Sequence, residues 1–505
     1  MRKLTALLVA AVMTFTMAAC DNTGNNQTGS KSNGTNDDKE QIKGEITVSC
    51  YEDMLYNMYL HEAGKLFEKK YPGTKVNFLG LSPMPEMNGG TTMEATTPAA
   101  PIDVLGEKDA TKKSDYINKI NTELMGGNGP DLIMTDIIPY YKYVDKGMLE
   151  NLDKYIEKDT SFKRTDYREN VLNACKYNGQ QYVLPLGFNF NMFSYDKEFV
   201  DKEKQEAFKN KQEYTLEELV DLAGNSFDKK KSDVLKLFDI YGAKDFFYNL
   251  FNTSYDKYID ILNKKANFTD GSFSKLLNLS KEVVSKEYIK DDFVFDPEKD
   301  DMLTLSKSFM NTKYYYNFLS YYDIFRFFDT GASGLIQGDS EMISIGKPLS
   351  KTSVIGGLVK SNSGKKPLEI LMGVVMNSNS KNKQTAWEFM KFLTGEEMQQ
   401  SLYLNGLPVN KKAGEQSAKR QVLNSAGNPK MDESTEILNK DQKDVYDKYL
   451  RLLDEMTNSL DNVIIKDSML DQIVKTEVKY FFDGTKTADE VAKNIQAKVE
   501  LYLNE

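Results

Sequence analysis

The sequence predicts an α/β protein with more than one domain. The chain has 505 residues, of which 40% are hydrophobic and 28% charged. It is too long for one ordinary core and too apolar for a disordered protein. Strand and helix patterns alternate after residue 44, and they open with a strand–helix–strand unit, which is typical of a parallel sheet.

The first twenty residues predict export and lipidation. Arg2 and Lys3 precede an apolar run at 4–17, which has the length of a signal-peptide core rather than of a bilayer span. The small residues before Cys20 resemble a bacterial lipobox, in which the cysteine takes a diacylglyceryl group and becomes the new N-terminus. We therefore expect a signal peptide at 1–19. The alternative is an ordinary secretory signal followed by a chance cysteine.

Residues 20–44 predict a tether behind this cysteine. The segment is rich in Asn, Gly, Thr, Ser and Lys, and such a composition buries too little surface to offset chain entropy. We expect the lipidated Cys20 and this flexible linker to hold the protein at the outer face of the cell membrane.

Individual elements follow from periodicity. Alternating Ile46, Val48 and Cys50 predict a strand with Cys50 buried, and a helix with one apolar face then runs to Pro72. Residues 81–111 are expected to be a loop-like surface insertion, and Leu132–Met134 a buried strand. Capping boxes predict helix starts at Thr215 and Thr487. Trp387, the single tryptophan, is expected to pack inside a helical layer.

The order of eight segments resembles a known family. They lie at 67–76, 127–136, 147–156, 177–199, 214–223, 376–399, 405–414 and 484–499. Together they resemble the extracellular solute-binding proteins of ABC importers, especially the maltose-binding type known as family 1. The segments cover most of the chain behind the linker.

This resemblance implies two α/β lobes joined by a hinge, with the ligand cleft between them, which is the type II periplasmic-binding-protein fold. Lobe 1 would comprise 45–188 plus 371–415, and lobe 2 would comprise 189–370 plus 416–505. The protein would capture a small solute, chiefly a sugar or oligosaccharide. It would deliver this solute, as a monomer, to permease subunits served by a cytoplasmic ATPase. No cofactor, metal, catalytic residue or nucleic-acid partner is expected. The net charge of −10 also argues against a nucleic-acid partner, because nucleic-acid-binding proteins usually carry a basic face.

Candidate ligand residues lie where strands end, because open α/β sheets bind ligands beyond the carboxyl ends of their strands. We expect ligand residues in four places, which are the ends of the first strand and of the 132–134 strand, the hinge, and the second lobe. In that order they are Tyr51 and Glu52, Asp136, Asn189 and Asn191, and Asp339.

One position departs from the sugar-binding pattern. Sugar-binding members commonly place an aromatic residue after the glycine that matches Gly338, whereas this chain has Asp339. The aromatic stretch at 314–328 suits either ligand stacking or a buried core. The carboxylates of Glu52, Asp136 and Asp339 also suit an amine-bearing solute or a peptide, so a non-sugar solute remains the alternative.

The sequence favours two other classes of protein less. The chain has one histidine and no common hydrolase motif, which disfavours most enzymes. A pair of carboxylates is enough for glycoside hydrolysis, so a surface glycosidase remains a less favoured alternative. A repetitive adhesin would show β-rich repeats, and none are visible. Three cysteines exclude a disulfide-dense scaffold, and a pairing of Cys50 with Cys175 stays open.

Overall fold

The computed structural model describes residues 42–51, 54–80, 102–224, 235–291, 313–319, 353–425, 438 and 440–505. The predicted signal peptide, the lipidation site Cys20 and the linker up to residue 41 lie outside these ranges. Glu52, Asp339 and residues 320–328 of the aromatic stretch also lie outside them.

The described strands are short and occur throughout the described ranges. They are β1 (Gly44–Ser49), β2 (Thr74–Leu79), β3 (Leu132–Met134), β4 (Val183–Asn189), β5 (Met192–Asp196), β6 (Glu213–Tyr214), β7 (Leu235–Phe238), β8 (Ile259–Asp260), β9 (Lys265–Ala266), β10 (Lys313–Leu319), β11 (Ser353–Val359), β12 (Pro367–Met376), β13 (Leu407–Pro408) and β14 (Asn462–Ile464).

The described helices alternate with these strands. They are α1 (Met54–Lys70), α2 (Ile102–Met125), α3 (Tyr140–Asp145), α4 (Asp153–Lys158), α5 (Glu169–Ala174), α6 (Lys202–Asn210), α7 (Leu216–Gly224), α8 (Gly242–Thr253), α9 (Tyr255–Tyr258), α10 (Ser272–Ser285), α11 (Lys383–Thr394), α12 (Glu396–Gln399), α13 (Lys411–Ser425), α14 (Lys440–Ser459), α15 (Ser468–Phe482) and α16 (Ala488–Asn504). The alternation confirms the predicted α/β class.

Two main sheets are present in the described residues. The first has the order β13-β4-β12-β3-β1-β2, with β14 also pairing with β12. In it, β1 is parallel to both β2 and β3, as the opening strand–helix–strand pattern predicts. The second sheet has the order β6-β11-β5-β10-β7, in which β7 and β10 are parallel.

The chain passes between the two sheets at three places. It leaves β4 for β5 through residues 190–191, leaves β11 for β12 through residues 360–366, and leaves β14 for α15 through residues 465–467. We call these the first, second and third crossings. The first crossing lies where the hinge is expected from the sequence.

The segment between residue 416 and the third crossing packs on the first sheet. Ala418, Tyr449 and Leu453 belong to the apolar core that contains Ile46 and Trp387, whereas the expected lobe bounds assign everything after residue 415 to the second lobe. The apolar face of α14 and the pairing of β14 with β12 account for the difference. The remaining lobe bounds stay a prediction.

Helix α2 differs from the sequence expectation. Residues 102–111, expected as part of a loop, form its first turns. The prolines that precede residue 102 and the mixed composition of 102–111 hide the helical pattern.

Several local predictions are confirmed. Thr487 caps α16 in a full capping box with Glu490, and Thr215 and Glu218 exchange the same pair of hydrogen bonds. Cys50 is buried, and it forms no disulfide with the buried Cys175. No helix in the described part of the chain is long and apolar enough to cross a membrane.

Trp387 is 1% exposed and lies in the apolar core that contains Ile46. Its Nε1 donates to Asp159 Oδ2 at 2.9 Å, and Lys391 Nζ lies 2.7 Å from the same oxygen. Burial of Asp159 opposes its ionisation, but the hydrogen bonds from Lys391, Ser161 and Trp387 outweigh burial, so the pKa of Asp159 is lowered. The indole therefore has a structural role, as expected.

Candidate functional site

The ends of β1 and β3 bring two of the predicted ligand residues to one edge of the first sheet. These strands are parallel neighbours, so the residues that follow them, Tyr51 and Asp136, leave the sheet on the same side. Both residues are partly buried. The sequence analysis expects both residues to bind the ligand, and this role stays a prediction.

Tyr116 on α2 contacts Tyr51 and lies within reach of the charge of Asp136. Its ring stands edge-on to that of Tyr51, with 5.7 Å between the centroids, and its hydroxyl lies 3.0 Å from Ser49 Oγ. Burial, and then the nearby negative charge of Asp136, raise the pKa of Tyr116 far above its ordinary value. Sequence reasoning missed Tyr116, because a tyrosine on an amphipathic helix has no pattern that separates it from a core aromatic.

The predicted asparagines lie elsewhere, at the first crossing. Asn189 ends β4 opposite Glu369 of β12 and is partly buried. Asn191 is exposed, and its carbonyl accepts a hydrogen bond from Val359 N at 2.9 Å. The backbone of Asn191 therefore helps to hold β11 beside β5.

A pocket of about 350 Å³ opens beside the second sheet at the carboxyl end of β7. Residues of the loop after β7 and of one face of α8 line it, namely Asp239, Ile240, Tyr241, Asp245, Tyr248, Asn249 and Asn252. The pocket thus combines carboxylates, amides and two phenol rings. Sequence reasoning missed these residues, although the polar positions of α8 recur at helical spacing, because such a face is more often simply solvated.

The start of the aromatic stretch at 314–328 packs behind this pocket. Tyr314, Tyr315 and Tyr316 on β10 are buried, and the hydroxyl of Tyr314 lies 3.0 Å from that of Tyr241. For these three residues the core-packing alternative is confirmed.

The third crossing and the first turn of α15 contact both the first-sheet edge at Asp136 and the pocket on α8. Lys466 Nζ donates to Asn252 Oδ1 at 2.8 Å, so the crossing touches the pocket on α8. Ser468 Oγ donates to the carbonyl of Ile137 at 3.4 Å, and Ile137 directly follows Asp136. One short segment therefore contacts both the first-sheet edge and the second-sheet pocket.

Asp467, in the same segment, ties three helices together. It is 1% exposed. Its Oδ2 accepts hydrogen bonds from Tyr141 on α3 at 2.7 Å and from Tyr502 on α16 at 3.0 Å. Its Oδ1 caps α15 through Met469 N at 2.8 Å. This cluster fixes the third crossing against both sheets, because α3 follows directly from β3.

These groups can take part in non-covalent recognition of a ligand. Carboxylate, amide and phenol groups can exchange hydrogen bonds with hydroxyls, and tyrosine rings present apolar faces to a ligand. No group of three or more His, Cys, Asp or Glu side chains in the described ranges is placed to hold a metal ion.

Comparison with known proteins gives a family match that includes Asp136, the first two crossings and the α8 pocket. A family model described as bacterial extracellular solute-binding protein matches residues 107–426, which is more than half of the chain. Among curated proteins, the erythritol/L-threitol-binding protein of Mycolicibacterium smegmatis is 26% identical over 108 residues, covering 19% of this chain. The match spans only 23% of that relative's length.

Solved structures resemble the whole fold at low identity. The sugar-binding protein MalE from Xanthomonas citri has a TM-score of 0.54 at 13% identity and covers 91% of this chain and 98% of its own. An extracellular solute-binding protein family 1 from Alicyclobacillus acidocaldarius has a TM-score of 0.53 at 15% identity. It covers 92% of this chain and 99% of its own. The GacH receptor of Streptomyces glaucescens has a TM-score of 0.51 at 15% identity, and it also covers 92% of this chain and 99% of its own. These likenesses confirm the predicted two-lobed binding-protein fold.

Proposed function

The chain belongs to the bacterial extracellular solute-binding protein family, and from this premise we propose that it captures a small polyhydroxylated solute for an ABC importer. The solute class is a sugar, an oligosaccharide or a polyol. The solute would bind between the first-sheet edge around Tyr51 and Asp136 and the pocket on α8. The permease and its ATPase would be the partners that receive it.

The observation that carries this proposal is the placement of the third crossing. Lys466 touches the pocket, and Ser468 touches the backbone next to Asp136. A solute that contacts both groups gains interactions only when they are close together, so it favours the closed arrangement of the lobes.

Relatives support the hydroxylated class. They include an erythritol/L-threitol-binding protein and the sugar-binding protein MalE, and GacH has been crystallised with acarbose. The pocket residues suit such solutes, because hydroxyls both donate and accept hydrogen bonds and so do the amides of Asn249 and Asn252.

Lipid anchoring through Cys20 belongs to the same proposal. The family implies a location outside the cytoplasmic membrane, and an importer's binding protein works best when it stays close to its permease. A diacylglyceryl group and the linker over 20–44 would provide that tether.

The direct test is a thermal-shift and calorimetry screen. The panel is maltose, maltotriose, acarbose, erythritol, L-threitol and, for the amine alternative, spermidine. A solute that binds only the folded protein raises stability by about 2.7 kcal/mol when its concentration is a hundred times Kd. Binding without release of a hydrolysis product supports the proposal, and product release from maltotriose supports the glycosidase alternative.

Asp136→Ala tests the placement of the site. A carboxylate that accepts hydrogen bonds from solute hydroxyls contributes about 1.5–3 kcal/mol, so affinity should fall about 10- to 100-fold. The melting temperature should barely change. Lost stability with intact affinity would mean that Asp136 is only structural and that the cleft lies elsewhere.

A further inference from the structure

Helix α3 contacts both parts of the molecule, although it follows a strand of the first sheet. We call the parts built on the first and on the second sheet the first half and the second half. Tyr143 of α3 belongs to an apolar cluster of the first half, with Ile133 of β3 and Val183 of β4. Tyr141 of α3 is 1% exposed and belongs to the core of the second half, which also contains Phe247 of α8. The helix therefore presents one face to each half.

Two polar contacts from α3 to the second half add to its hydrogen bond with the third crossing. Lys142 Nζ donates to the carbonyl of Tyr502 on α16 at 2.7 Å, and it lies 3.4 Å from the centroid of the Tyr502 ring. Asp145 Oδ2 lies 2.9 Å from Nζ of Lys264, which is in the turn between β8 and β9. The other oxygen of Asp145 accepts a hydrogen bond from Tyr177 at 2.9 Å, which holds the carboxylate in place.

These contacts are concentrated on one side of a short helix. Positions 141, 142 and 145 are neighbours, because residues three or four apart lie on the same face of a helix. Lys264 has a φ of +53°. Residues other than glycine rarely adopt this conformation, and where they do, it often serves a function. The ion pair with Asp145 gives this turn residue such a function.

The placement of α3 also fixes Asp136. Three residues, 137–139, separate Asp136 from the first residue of α3. Among them, Ile138 is buried, and its carbonyl accepts a hydrogen bond from Tyr140 N at 2.8 Å. A segment this short and this closely bonded transmits the position of α3 to Asp136. The contacts between α3 and the second half therefore set the distance from Asp136 to the pocket on α8.

We propose that α3 is a latch between the two halves, in which Lys142, Asp145 and Lys264 are positioning residues that hold Asp136 at a set distance from the pocket on α8. This inference rests on the proposed function, because it requires a solute that contacts both groups. Two groups that are already held at the correct distance lose less freedom when a solute joins them, so binding is tighter. The latch thus raises affinity without touching the solute.

The expected effects on affinity are modest and unequal. The side chains of Lys264 and Asp145 are 45% and 23% exposed. Because ion pairs in contact with solvent are weak, Lys264→Ala should weaken solute binding about 2- to 5-fold. Lys142→Met takes the ammonium group away from Tyr502 and keeps the apolar stem, and it should weaken binding about 5- to 10-fold. Each change should act by the same factor on every solute that the parent binds, because a positioning residue makes no contact with the solute.

The first test compares solute affinity in the parent and in each variant. Calorimetry with maltotriose, acarbose, erythritol and L-threitol measures the affinities, and melting curves without solute show that each variant is folded. The double variant Asp145→Lys, Lys264→Asp reverses the ion pair, and it should bind within about twofold of the parent, since aspartate tolerates the positive φ at 264. Lys265→Ala, at the next and exposed position of the same hairpin, is the matched control and should leave affinity unchanged.

The second test needs no solute. Spin labels at Met125→Cys on α2 and Lys275→Cys on α10 report the distance between the halves, since both positions are exposed. The two cysteines of the described ranges are buried and so are shielded from the label. The distribution of label distances should be broader when Lys142→Met and Lys264→Ala are combined than in the labelled parent, because the latch no longer restrains the halves.

Other outcomes overturn the inference, each in its own way. If the parent binds a solute and both Lys142→Met and Lys264→Ala keep its affinity, the contacts of α3 are structural and position nothing, although the proposed function stands. Tighter binding in these variants would mean that α3 holds the halves apart. A loss that differs between solutes would mean direct contact with the solute instead. If the parent binds no member of the panel, the proposed function fails, and the label distances alone decide the latch, which an unchanged distribution overturns.

Discussion

Removing the carboxylate of Asp467 tests whether the third crossing is held by one buried side chain. In Asp467→Ala, the hydroxyls of Tyr141 and Tyr502 lose their common acceptor, and α15 loses its N-cap. The two tyrosines come from other parts of the chain, since Tyr141 is 326 residues and Tyr502 is 35 residues from Asp467 in sequence. The substitution should therefore weaken the whole protein rather than one helix.

The expected loss follows from the individual contacts. A hydrogen bond to a charged group contributes about 1.5–3 kcal/mol, and an N-cap about 1 kcal/mol. The effects overlap, because both tyrosines bond to the same oxygen. We therefore expect the free energy of unfolding to fall by about 3–5 kcal/mol. Asp467→Asn keeps an acceptor for the helix cap and should lose about half as much.

Urea denaturation followed by circular dichroism measures this loss, with Glu455→Ala as the control at an exposed position. A double-mutant cycle between Asp467→Asn and Tyr141→Phe should give a coupling energy of at least about 1 kcal/mol. A loss below about 1 kcal/mol in Asp467→Ala, or a coupling energy near zero, would refute the idea that this cluster holds the crossing.

Three further predictions concern other parts of the molecule. Asp159→Asn should cost about 1–2 kcal/mol near neutral pH. Because the folded-state pKa of Asp159 is lowered, this stability is fully present above the unfolded pKa of about 3.9 and is lost as the pH falls towards the folded pKa. The difference between the melting temperatures of variant and parent should therefore begin to shrink below about pH 4 and keep shrinking at lower pH. Gly406→Ala should lower the free energy of unfolding in urea by about 2–4 kcal/mol, because the φ of Gly406 is +110° and a Cβ would lie 2.7 Å from Phe188 N. The control Gly484→Ala, at a φ of +75° with nothing within 4 Å of the added Cβ, should lower it by about 1 kcal/mol. Equal losses in the two variants would contradict this reasoning. Cys20→Ser should move the protein out of the detergent phase in a partitioning assay. If a Cys20→Ser variant from which residues 1–19 have been removed partitions like the parent, lipidation at Cys20 is excluded.

The local elements of this protein were predictable from the sequence. Alternation at Ile46 and Val48, the capping box at Thr487 and the apolar face around Trp387 are patterns that neighbouring residues carry by themselves, and the structure confirms them. The family assignment, made from eight ordered segments, is confirmed by the family match. Where local patterns were weak, as at the start of α2, the expectation was wrong.

Tertiary structure decided how the candidate site is built. The sequence indicated Tyr51 and Asp136 as candidates because each follows a strand, but it gave no sign that Tyr116 contacts Tyr51. The shared acceptor Asp467 and the hydrogen bond from Lys466 to the pocket residue Asn252 both depend on contacts between residues far apart along the chain. Hydrophobic periodicity is a property of adjacent residues, whereas a binding site needs side chains from several elements to converge, and only the packing of those elements sets that geometry.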